Sequence, residues 1–267
     1  MPATLGPALT CSPPIEQNRE MSVAQVAVLS DVHGNLTAFE AVLADISARG
    51  IDTIYSLGDV AGKGPRGSQA VQLARERCAV NVRGNWDELL ASDRVDDPVG
   101  AWWRDELTVE DRRWLGSLPA SYDLAFGGSA FRLFHASAAS VFTRVFEQHS
   151  PAEFEGMFAN TQLTGPGPLP TVVCYGDIHG AYVKTVADRT LVNVGSVGNP
   201  LDETTACYVV LTASRTARPE APTVEFVRVA YDREAEVAIA MASGMPEAEA
   251  YAIELRTAVY RGFQTPD

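Results

Sequence analysis

Short apolar segments alternate with amphipathic ones along the first third of the chain. Residues 23–30 are rich in valine and predict a strand, and residues 53–57 and 79–83 predict two shorter strands. The segment after the first strand predicts a helix with one apolar face, made of Leu36, Phe39, Leu43 and Ile46. Strands that alternate with helices are typical of βαβ units, so this part of the chain predicts a parallel sheet.

The second half of the chain predicts mostly strands. Apolar or alternating runs occur at 122–126, 130–135, 171–175, 181–187, 190–194, 206–212 and 224–231. The pair at 188–189 predicts the turn of a hairpin. Two sheets stacked face to face, with helices outside them, would account for this pattern.

Three further segments predict helices. Residues 102–118 are charged and carry tryptophan, with Thr108 and Asp111 at the spacing of a capping box. The pair Ser150-Pro151 predicts another helix start. Residues 246–260 are amphipathic, and we expect them to pack on the domain or on a second subunit.

The length and composition favour one large domain. With 267 residues and 46% apolar content, the chain can bury a full core at 22–267. Within it we expect a helical insertion near 87–118 and a C-terminal helical segment at 232–262. Residues 1–21 are expected to be a flexible extension, because this segment lacks the basic start and apolar core of a signal peptide.

The net charge and the cysteines limit the classes of function and the cellular compartments that the sequence allows. The formal net charge of −13 argues against a basic groove for long nucleic acid. The four cysteines form no CxxC pair, and three of them lie in apolar runs that predict buried, reduced thiols. No segment approaches the roughly 20 apolar residues of a membrane span. We therefore expect a cytoplasmic protein without a membrane partner.

Five short polar segments hold three of the four histidines, and each follows a predicted strand or begins a predicted helix. They are 30–35 (SDVHGN), 57–59 (LGD), 84–87 (GNWD), 134–136 (FHA) and 176–180 (GDIHG). Imidazole and carboxylate groups on glycine-bounded turns are suitable ligands for divalent metals. Because the carboxyl ends of parallel strands meet at one edge of a sheet, we expect these segments to form one catalytic metal site.

The order of these segments resembles the calcineurin-like metallophosphoesterase superfamily, whose pattern is DxH, GD, GNH[DE], a lone histidine and GHxH. The resemblance extends over about 23–229, and 193–200 (NVGSVGNP) is similar to a turn of its small bacterial phosphodiesterase branch. It implies an α/β fold, a four-layer α/β/β/α sandwich of two mixed sheets flanked by helices. Other catalytic motifs are missing, since no GxSxG or Walker motif occurs at a strand-to-helix turn.

The resemblance assigns metal roles residue by residue. The first metal would be bound by Asp31, His33, Asp59 and His179. The second would be bound by the bridging Asp59 together with Asn85, His135 and Asp177. The predicted catalytic residues are Asp59, Asn85 and Asp87, although Asp87 is equally suited to cap the following helix.

Four residues near these motifs are predicted substrate contacts: Asn35, Lys63, Arg66 and Trp86. Lys63 and Arg66 lie in a glycine-rich turn and could attract phosphate, but a basic loop is commonly just solvated. Trp86 could stack on a base or could simply pack at a helix start. His149 lies outside every motif and is interpreted as an ordinary surface residue.

The sequence departs from the family pattern at two positions. Asp177 stands where the pattern has the first histidine of GHxH, which would make the second site richer in oxygen or leave it weak. Trp86 stands where the pattern has the histidine that protonates the leaving oxygen. We expect two divalent ions, Mn²⁺ before the alternatives Fe, Zn, Mg and Ni.

These observations predict a dinuclear metal-dependent phosphodiesterase that hydrolyses small nucleotide-like phosphodiesters by a metal-bridging hydroxide. Aryl diesters and 2′,3′-cyclic nucleotides are favoured because their leaving groups need little protonation. The expected partner is thus a small phosphodiester or nucleotide, and a homo-oligomer stays an open alternative. The competing hypothesis is a catalytically weakened regulatory protein of the same fold that binds metal or nucleotide.

Overall fold

The computed structural model describes residues 23–92, 95, 97–214 and 222–264. The strands of this part are β1 (Val23–Leu29), β2 (Ile54–Ser56), β3 (Val80–Asn81), β4 (Ser121–Phe126), β5 (Ser129–Phe134), β6 (Val172–Tyr175), β7 (Tyr182–Val186), β8 (Arg189–Asn193), β9 (Ala206–Ser214) and β10 (Thr223–Val229). They form two sheets, in the orders β10-β9-β1-β2-β3 and β4-β5-β6-β8-β7. Both sheets combine parallel and antiparallel pairs, so both are mixed.

The described helices are α1 (Leu36–Ala48), α2 (Gly67–Arg77), α3 (Asn85–Ala91), α4 (Pro98–Glu106), α5 (Val109–Ser117), α6 (Pro151–Met157), α7 (Arg233–Ala242) and α8 (Ala248–Thr257), followed by a 3₁₀ turn (Arg261–Phe263). The face of α1 that the sequence predicted is buried, because Leu36, Phe39, Leu43 and Ile46 are all inaccessible. None of the described helices combines the length and apolar character needed to cross a bilayer.

The alternation of side chains along β1 explains the layers. Val26 and Val28 face the second sheet, where they share a core with residues such as Leu133 of β5. Ala27 and Leu29 point to the other face and pack with the outer helices. A third cluster lies outside the second sheet, where α6 covers Val173 and its neighbours. These three interfaces separate four layers, which confirms the predicted sandwich of two mixed sheets flanked by helices.

Several boundaries differ from the sequence-based expectations. The predicted helix at 102–118 is two helices, because α4 ends at Glu106 and Thr108 starts α5 through the predicted capping box with Asp111. The predicted helix start at Ser150 is present and begins α6. Of the predicted C-terminal amphipathic stretch, α8 packs on the core through Tyr251, Ala252 and Leu255.

The interpretation of His149 as a surface residue was wrong. Its ring is buried and packs between Phe154 and Tyr182, with centroid separations of 5.5 and 6.4 Å. Aromatic packing can hold an imidazole without any catalytic role. The described cysteines, Cys78, Cys174 and Cys207, are free and buried as predicted. The predicted extension at 1–21 lies outside the described residues, and the expected extent of the domain stays a prediction.

Candidate metal centre

The predicted metal ligands converge at the edge where the two sheets meet. Asp31 and His33 follow β1, Asp59 follows β2, and Asn85 is the first residue of α3. His135 follows β5, and the turn after β6 carries Asp177 and His179. All seven side chains lie in one polar cluster. The turns that follow these strands bring them together.

The first group of candidate ligands contains Asp31, His33 and His179. The Nε2 atoms of the two histidines are 3.1 Å apart. Asp31 Oδ1 lies 3.6 Å from His33 Nε2 and 3.2 Å from His179 Nε2. One carboxylate oxygen and two ring nitrogens therefore face a common point, as a metal ion requires.

The second group contains Asp31, Asp59 and His135. His135 Nε2 is 3.0 Å from Asn85 Oδ1 and 3.7 Å from Asp177 Oδ1, so both further predicted ligands lie beside this group. Asp177 is also engaged elsewhere, because Arg144 Nε lies 3.1 Å from its Oδ2. The nitrogen and oxygen atoms of this group form a mixed set richer in oxygen than the first.

Asp31 belongs to both groups, and Asp59, a member of the second group, also approaches the first. Its Oδ1 accepts a hydrogen bond from the Trp86 backbone N–H at 2.9 Å. Its Oδ2 is 3.6 Å from His33 Nε2 and 3.4 Å from His135 Nε2. One oxygen is thus held by the backbone, while the other faces one histidine of each group. This position suits a bridging ligand, which stays a prediction for this residue.

The donor set fits divalent metals because the free lone pairs point inward. Asp31 Oδ1 is buried and accepts no hydrogen bond. His135 Nδ1 donates to the Leu57 carbonyl at 2.9 Å, and His179 Nδ1 donates to the Asn199 carbonyl at 2.5 Å. In the neutral imidazole these bonds place the proton on Nδ1 and direct the lone pair of each Nε2 toward the centre, which is the arrangement of metal-binding histidines.

The histidines of the cluster differ strongly in their electrostatic surroundings. Burial alone would lower the pKa of His135, but the carboxylates of Asp59, Asp31 and Asp177 outweigh this effect and raise the pKa to about 10. Burial and the nearby Lys63 ammonium lower the pKa of His33 to about 4. The pKa values of these two histidines are shifted in opposite directions, which indicates a strong and uneven electrostatic field. Such shifts are typical of functional sites.

The backbone adopts the left-handed region at an unusual number of these positions. Positive φ angles between 50° and 65° occur at Asp31, His33, Asp59, Lys63, Asp177 and His179. Aspartate and histidine tolerate this region better than most residues, but each position still costs about 1–3 kcal/mol. Such strain persists where a surrounding structure fixes it, and here it turns the side chains into the cluster.

Two glycines allow the turns to approach each other. A Cβ on Gly84 would lie 2.0 Å from Asp59 Oδ1, and one on Gly176 would lie 2.0 Å from Ser30 Oγ. Only glycine permits these contacts without displacing the neighbouring turn. The glycines of the GN and GD motifs are therefore needed for assembly of the centre.

Asp87 organises the turn that carries Asp59. Its Oδ2 accepts hydrogen bonds from the N–H groups of Asp59 and Gly84, and its Oδ1 accepts one from Val60. Burial, together with repulsion by Asp59, raises the pKa of this carboxyl to about 7. The predicted alternative, capping of α3, describes these contacts better than a catalytic role.

Trp86 packs against the wall of the centre. Its ring lies edge-on to Trp103 at 5.4 Å and to His33 at 6.2 Å. It also covers Gly62, where a Cβ would come within 2.4 Å of the indole. These contacts favour the packing role, with part of the ring still accessible beside the metal ligands.

The other predicted substrate contacts differ among themselves. Asn35 is fully buried and uses its amide to cap α1 and to bond Gly198 and Tyr231. The Arg66 guanidinium pairs with Glu236 and Thr37. Lys63 alone points toward the ligands, with its Nζ 3.4 Å from His179 Nε2, and burial lowers its pKa. Of these three, Lys63 is placed to meet a phosphate.

Sequence reasoning missed two residues that the structure places at the centre. Arg144 pairs with Asp177, and it lies in a loop that no motif marks. Asn199 accepts the hydrogen bond that orients His179. The second residue had a signal, because it belongs to the 193–200 phrase that was used only as evidence of family. The first had none.

The chain is similar to known proteins over most of its length. A protein of Methanocaldococcus jannaschii, named as the uncharacterised protein MJ0912, is 29% identical over 225 residues, which are 79% of this chain and 90% of that protein. The crystal structure of a metallophosphoesterase from Sphaerobacter thermophilus is similar, with 26% identity, a TM-score of 0.66 and coverage of 88% of this chain and 99% of that one.

A hypothetical protein from Pyrococcus horikoshii, PH1004, shares the fold, with a TM-score of 0.67, 18% identity and coverage of 90% of this chain and 99% of that one. The family profile for the calcineurin-like phosphoesterase superfamily domain matches residues 24–216. This match extends over well more than half of the chain and includes all seven predicted ligands. The protein therefore belongs to the calcineurin-like phosphoesterase superfamily.

Proposed function

We propose that the protein is a dinuclear metal-dependent phosphodiesterase for small nucleotide-like diesters, such as aryl diesters and 2′,3′-cyclic nucleotides. The observation that carries the proposal is the position of Asp59 Oδ2 between His33 and His135, at 3.6 and 3.4 Å. A carboxylate oxygen that faces one histidine of each ligand group suits a pair of ions. When bound, two divalent cations acidify a water molecule and neutralise charge on the phosphate.

The residues of the chain would bind and orient the substrate. Lys63 and Arg144 supply positive charge beside the centre, and Arg144 is 47% exposed, so the part of its guanidinium that does not contact Asp177 can meet an anion. Asp31, Asp59 and Asp177 supply the opposing negative charge that holds metals. A phosphate would thus be placed between cations from the protein and cations in the centre.

The preference for diesters rests on Trp86. A tryptophan has no proton to give a leaving alkoxide, and general acid catalysis is worth roughly 10²- to 10⁴-fold in rate. Good leaving groups need this help least. The narrower resemblance of 193–200 to a phosphodiesterase branch points in the same direction. The same proposal includes Mn²⁺ as the preferred metal and the cytoplasm as the location, which suits the free buried thiols.

The test is a series of aryl phosphate mono- and diesters with leaving groups of different pKa, measured with Mn²⁺. We expect the rate to fall steeply as the leaving-group pKa rises, with alkyl monoesters nearly inert. Trp86→His should flatten this dependence, provided the smaller ring reaches the leaving oxygen. Trp102→His is the matched control, because that half-buried indole contacts Trp103 and lies away from the ligands.

A flat dependence in the parent protein, or efficient hydrolysis of alkyl monoesters, would show that another group supplies the proton. The second candidate function, a weakened regulatory protein, is favoured by one observation. Asp177 shares its carboxylate with Arg144, which would reduce its availability as a metal ligand. Metal analysis separates the two, since the regulatory alternative expects fewer than two ions and no turnover of bis(p-nitrophenyl) phosphate.

A further inference from the structure

A cavity of about 480 Å³ opens directly beside the candidate metal centre. It is lined by Asp177 and His179 of the candidate centre and by the basic residues Lys63 and Arg144. The rest of its lining is largely apolar and includes Phe146, Leu201, Val259, Tyr260 and Phe263. A cavity with both charged and apolar lining fits a phosphate ester with a flat, apolar substituent.

One wall of this cavity is formed by residues 258–263, which follow α8. The family profile ends at residue 216, so this wall lies outside the matched region. Tyr260 and Phe263 are 5.9 Å apart and edge-on to each other. They are 39% and 82% exposed, which leaves ring surface free for contact with a ligand.

The wall is attached to the metal centre through Glu254. This carboxylate is only 1% exposed. It accepts hydrogen bonds from Arg261 Nε at 3.0 Å, from Arg261 Nη2 at 2.7 Å and from Asn199 Nδ2 at 3.1 Å. Asn199 in turn orients His179. A buried charge with several hydrogen-bond partners holds those partners in fixed positions. Residues 258–263 and the candidate metal ligand His179 are therefore supported by the same buried carboxylate.

We propose that residues 258–263 form the specificity wall of the substrate pocket and hold the aryl group or nucleobase of the phosphate ester, with Arg261 and Glu254 as its positioning residues. This inference rests on the proposed function, since it names the part of the substrate that lies beside the reacting phosphate. Contact between aromatic residues and a base or ring is worth about 1–3 kcal/mol, or roughly 5- to 150-fold in affinity.

The test compares ligands that differ only in the apolar substituent. Binding of phenyl phosphate and methyl phosphate, and of adenosine 5′-monophosphate and ribose 5-phosphate, is measured by titration calorimetry on the Mn²⁺-loaded protein. We expect the parent to bind the ring-bearing member of each pair more tightly. The two pairs also distinguish a simple aryl preference from a nucleobase preference, and either preference supports the wall.

Tyr260→Ala, in the wall, and Phe146→Ala, in the cavity lining outside the wall, should each weaken the ring-bearing ligands roughly 5- to 100-fold and leave methyl phosphate and ribose 5-phosphate unchanged. Phe142→Ala is the matched control, because Phe142 is 57% exposed, like Phe146, but does not line the cavity. Arg261→Ala should reduce the same selectivity, with Arg256→Ala as its control, since Arg256 is an exposed partner of Glu234.

Equal affinity for both members of each pair in the parent, or an equal loss for both in the wall variants, would overturn the inference. Bis(p-nitrophenyl) phosphate hydrolysis by the parent separates this result from failure of the proposed function. Turnover without ring selectivity contradicts the wall alone, whereas ring selectivity without turnover contradicts the phosphodiesterase and keeps the wall. Metal content and circular dichroism of each variant show that the fold and centre are retained.

Discussion

Asp59 Oδ2 faces one histidine from each group of candidate ligands, so removal of its charge should affect metal binding at both groups. Asp59→Asn keeps the shape of the side chain but replaces a carboxylate oxygen with an uncharged amide. Since the oxygen faces both His33 and His135, the change should lower bound metal and reduce activity by roughly 10²-fold or more. Metal analysis and turnover of an aryl diester measure the two effects.

The control for Asp59→Asn is Asp188→Asn, which changes an exposed aspartate in the turn between β7 and β8. It should leave metal content and turnover unaltered. Unchanged metal and rate in Asp59→Asn itself would contradict the bridging role, because no other carboxylate oxygen in the described cluster lies within 3.6 Å of both histidines.

Asp177 faces two competing partners, the metal ligands and Arg144. Burial raises the pKa of Asp177, while His135 and Arg144 lower it. If Asp177 is a ligand, Asp177→Ala should remove the second ion, and Asp177→His should shift the metal preference toward softer ions. Arg144→Gln is the informative companion, because it removes only the competitor. It should retain two ions, whereas two ions and full activity in Asp177→Ala would exclude Asp177 as a ligand.

The sequence predicted seven candidate ligands but could not assign every neighbouring polar residue. Motif spacing located all seven ligand candidates because the chemistry of a metal site depends on residue type and order. Arg66 and Asn35 were predicted substrate contacts, as Lys63 was. In the structure, however, Arg66 pairs with Glu236, and Asn35 caps the start of α1. Glu236 lies 170 residues from Arg66 along the chain, so no local pattern could reveal that pair, whereas the contact of Asn35 with α1 spans only three residues.

At the level of elements, α2 and α4 are joined by a carboxylate that titrates near neutral pH. Glu106 accepts hydrogen bonds from the Ser68 N–H, at 3.0 Å to Oε2, in the first turn of α2. Burial raises its pKa to about 7, and the nearby Asp111 contributes in the same direction. The protonated form is therefore favoured in the folded protein.

Because the folded pKa of Glu106 exceeds the unfolded value of 4.5, its contribution is fully present below pH 4.5 and is lost as pH rises through 7. Glu106→Gln lacks this loss, so the stability of the parent relative to the variant should fall between these two pH values. Urea unfolding at several pH values measures it. Glu110→Gln is the control, since that carboxylate is 69% exposed. A difference that does not vary with pH would contradict the shifted titration.

Elements were predicted well where local sequence decides them. The apolar period of α1, the capping box of α5 and the hairpin of β7 and β8 each depend on residues a few positions apart, and all are present. The division at Leu107, between α4 and α5, was not foreseen, because it buries Leu107 in the core and so depends on tertiary packing. The burial of His149 has the same kind of cause.

Over the whole molecule, the candidate centre is where several buried acidic groups lie together. The chain carries a net charge of −13, and Asp31, Asp59, Asp87 and Asp177 are buried together at the centre. Burying several like charges is unfavourable unless opposite charge accompanies them. Divalent cations would remove this repulsion, so metal binding and folding stability should be linked.

Metal removal should therefore lower the melting temperature of the whole domain. A ligand at one hundred times its dissociation constant stabilises the folded state by about 2.7 kcal/mol, which corresponds to roughly 5–10 °C for a protein of this size. Melting with EDTA and after readdition of Mn²⁺ measures the difference. Asp59→Asn should show a much smaller shift, because it holds less metal, while Asp188→Asn should match the parent. A parent melting temperature that ignores both EDTA and Mn²⁺, although metal analysis shows the ions leaving and returning, would mean that the buried acids are balanced by the protein alone.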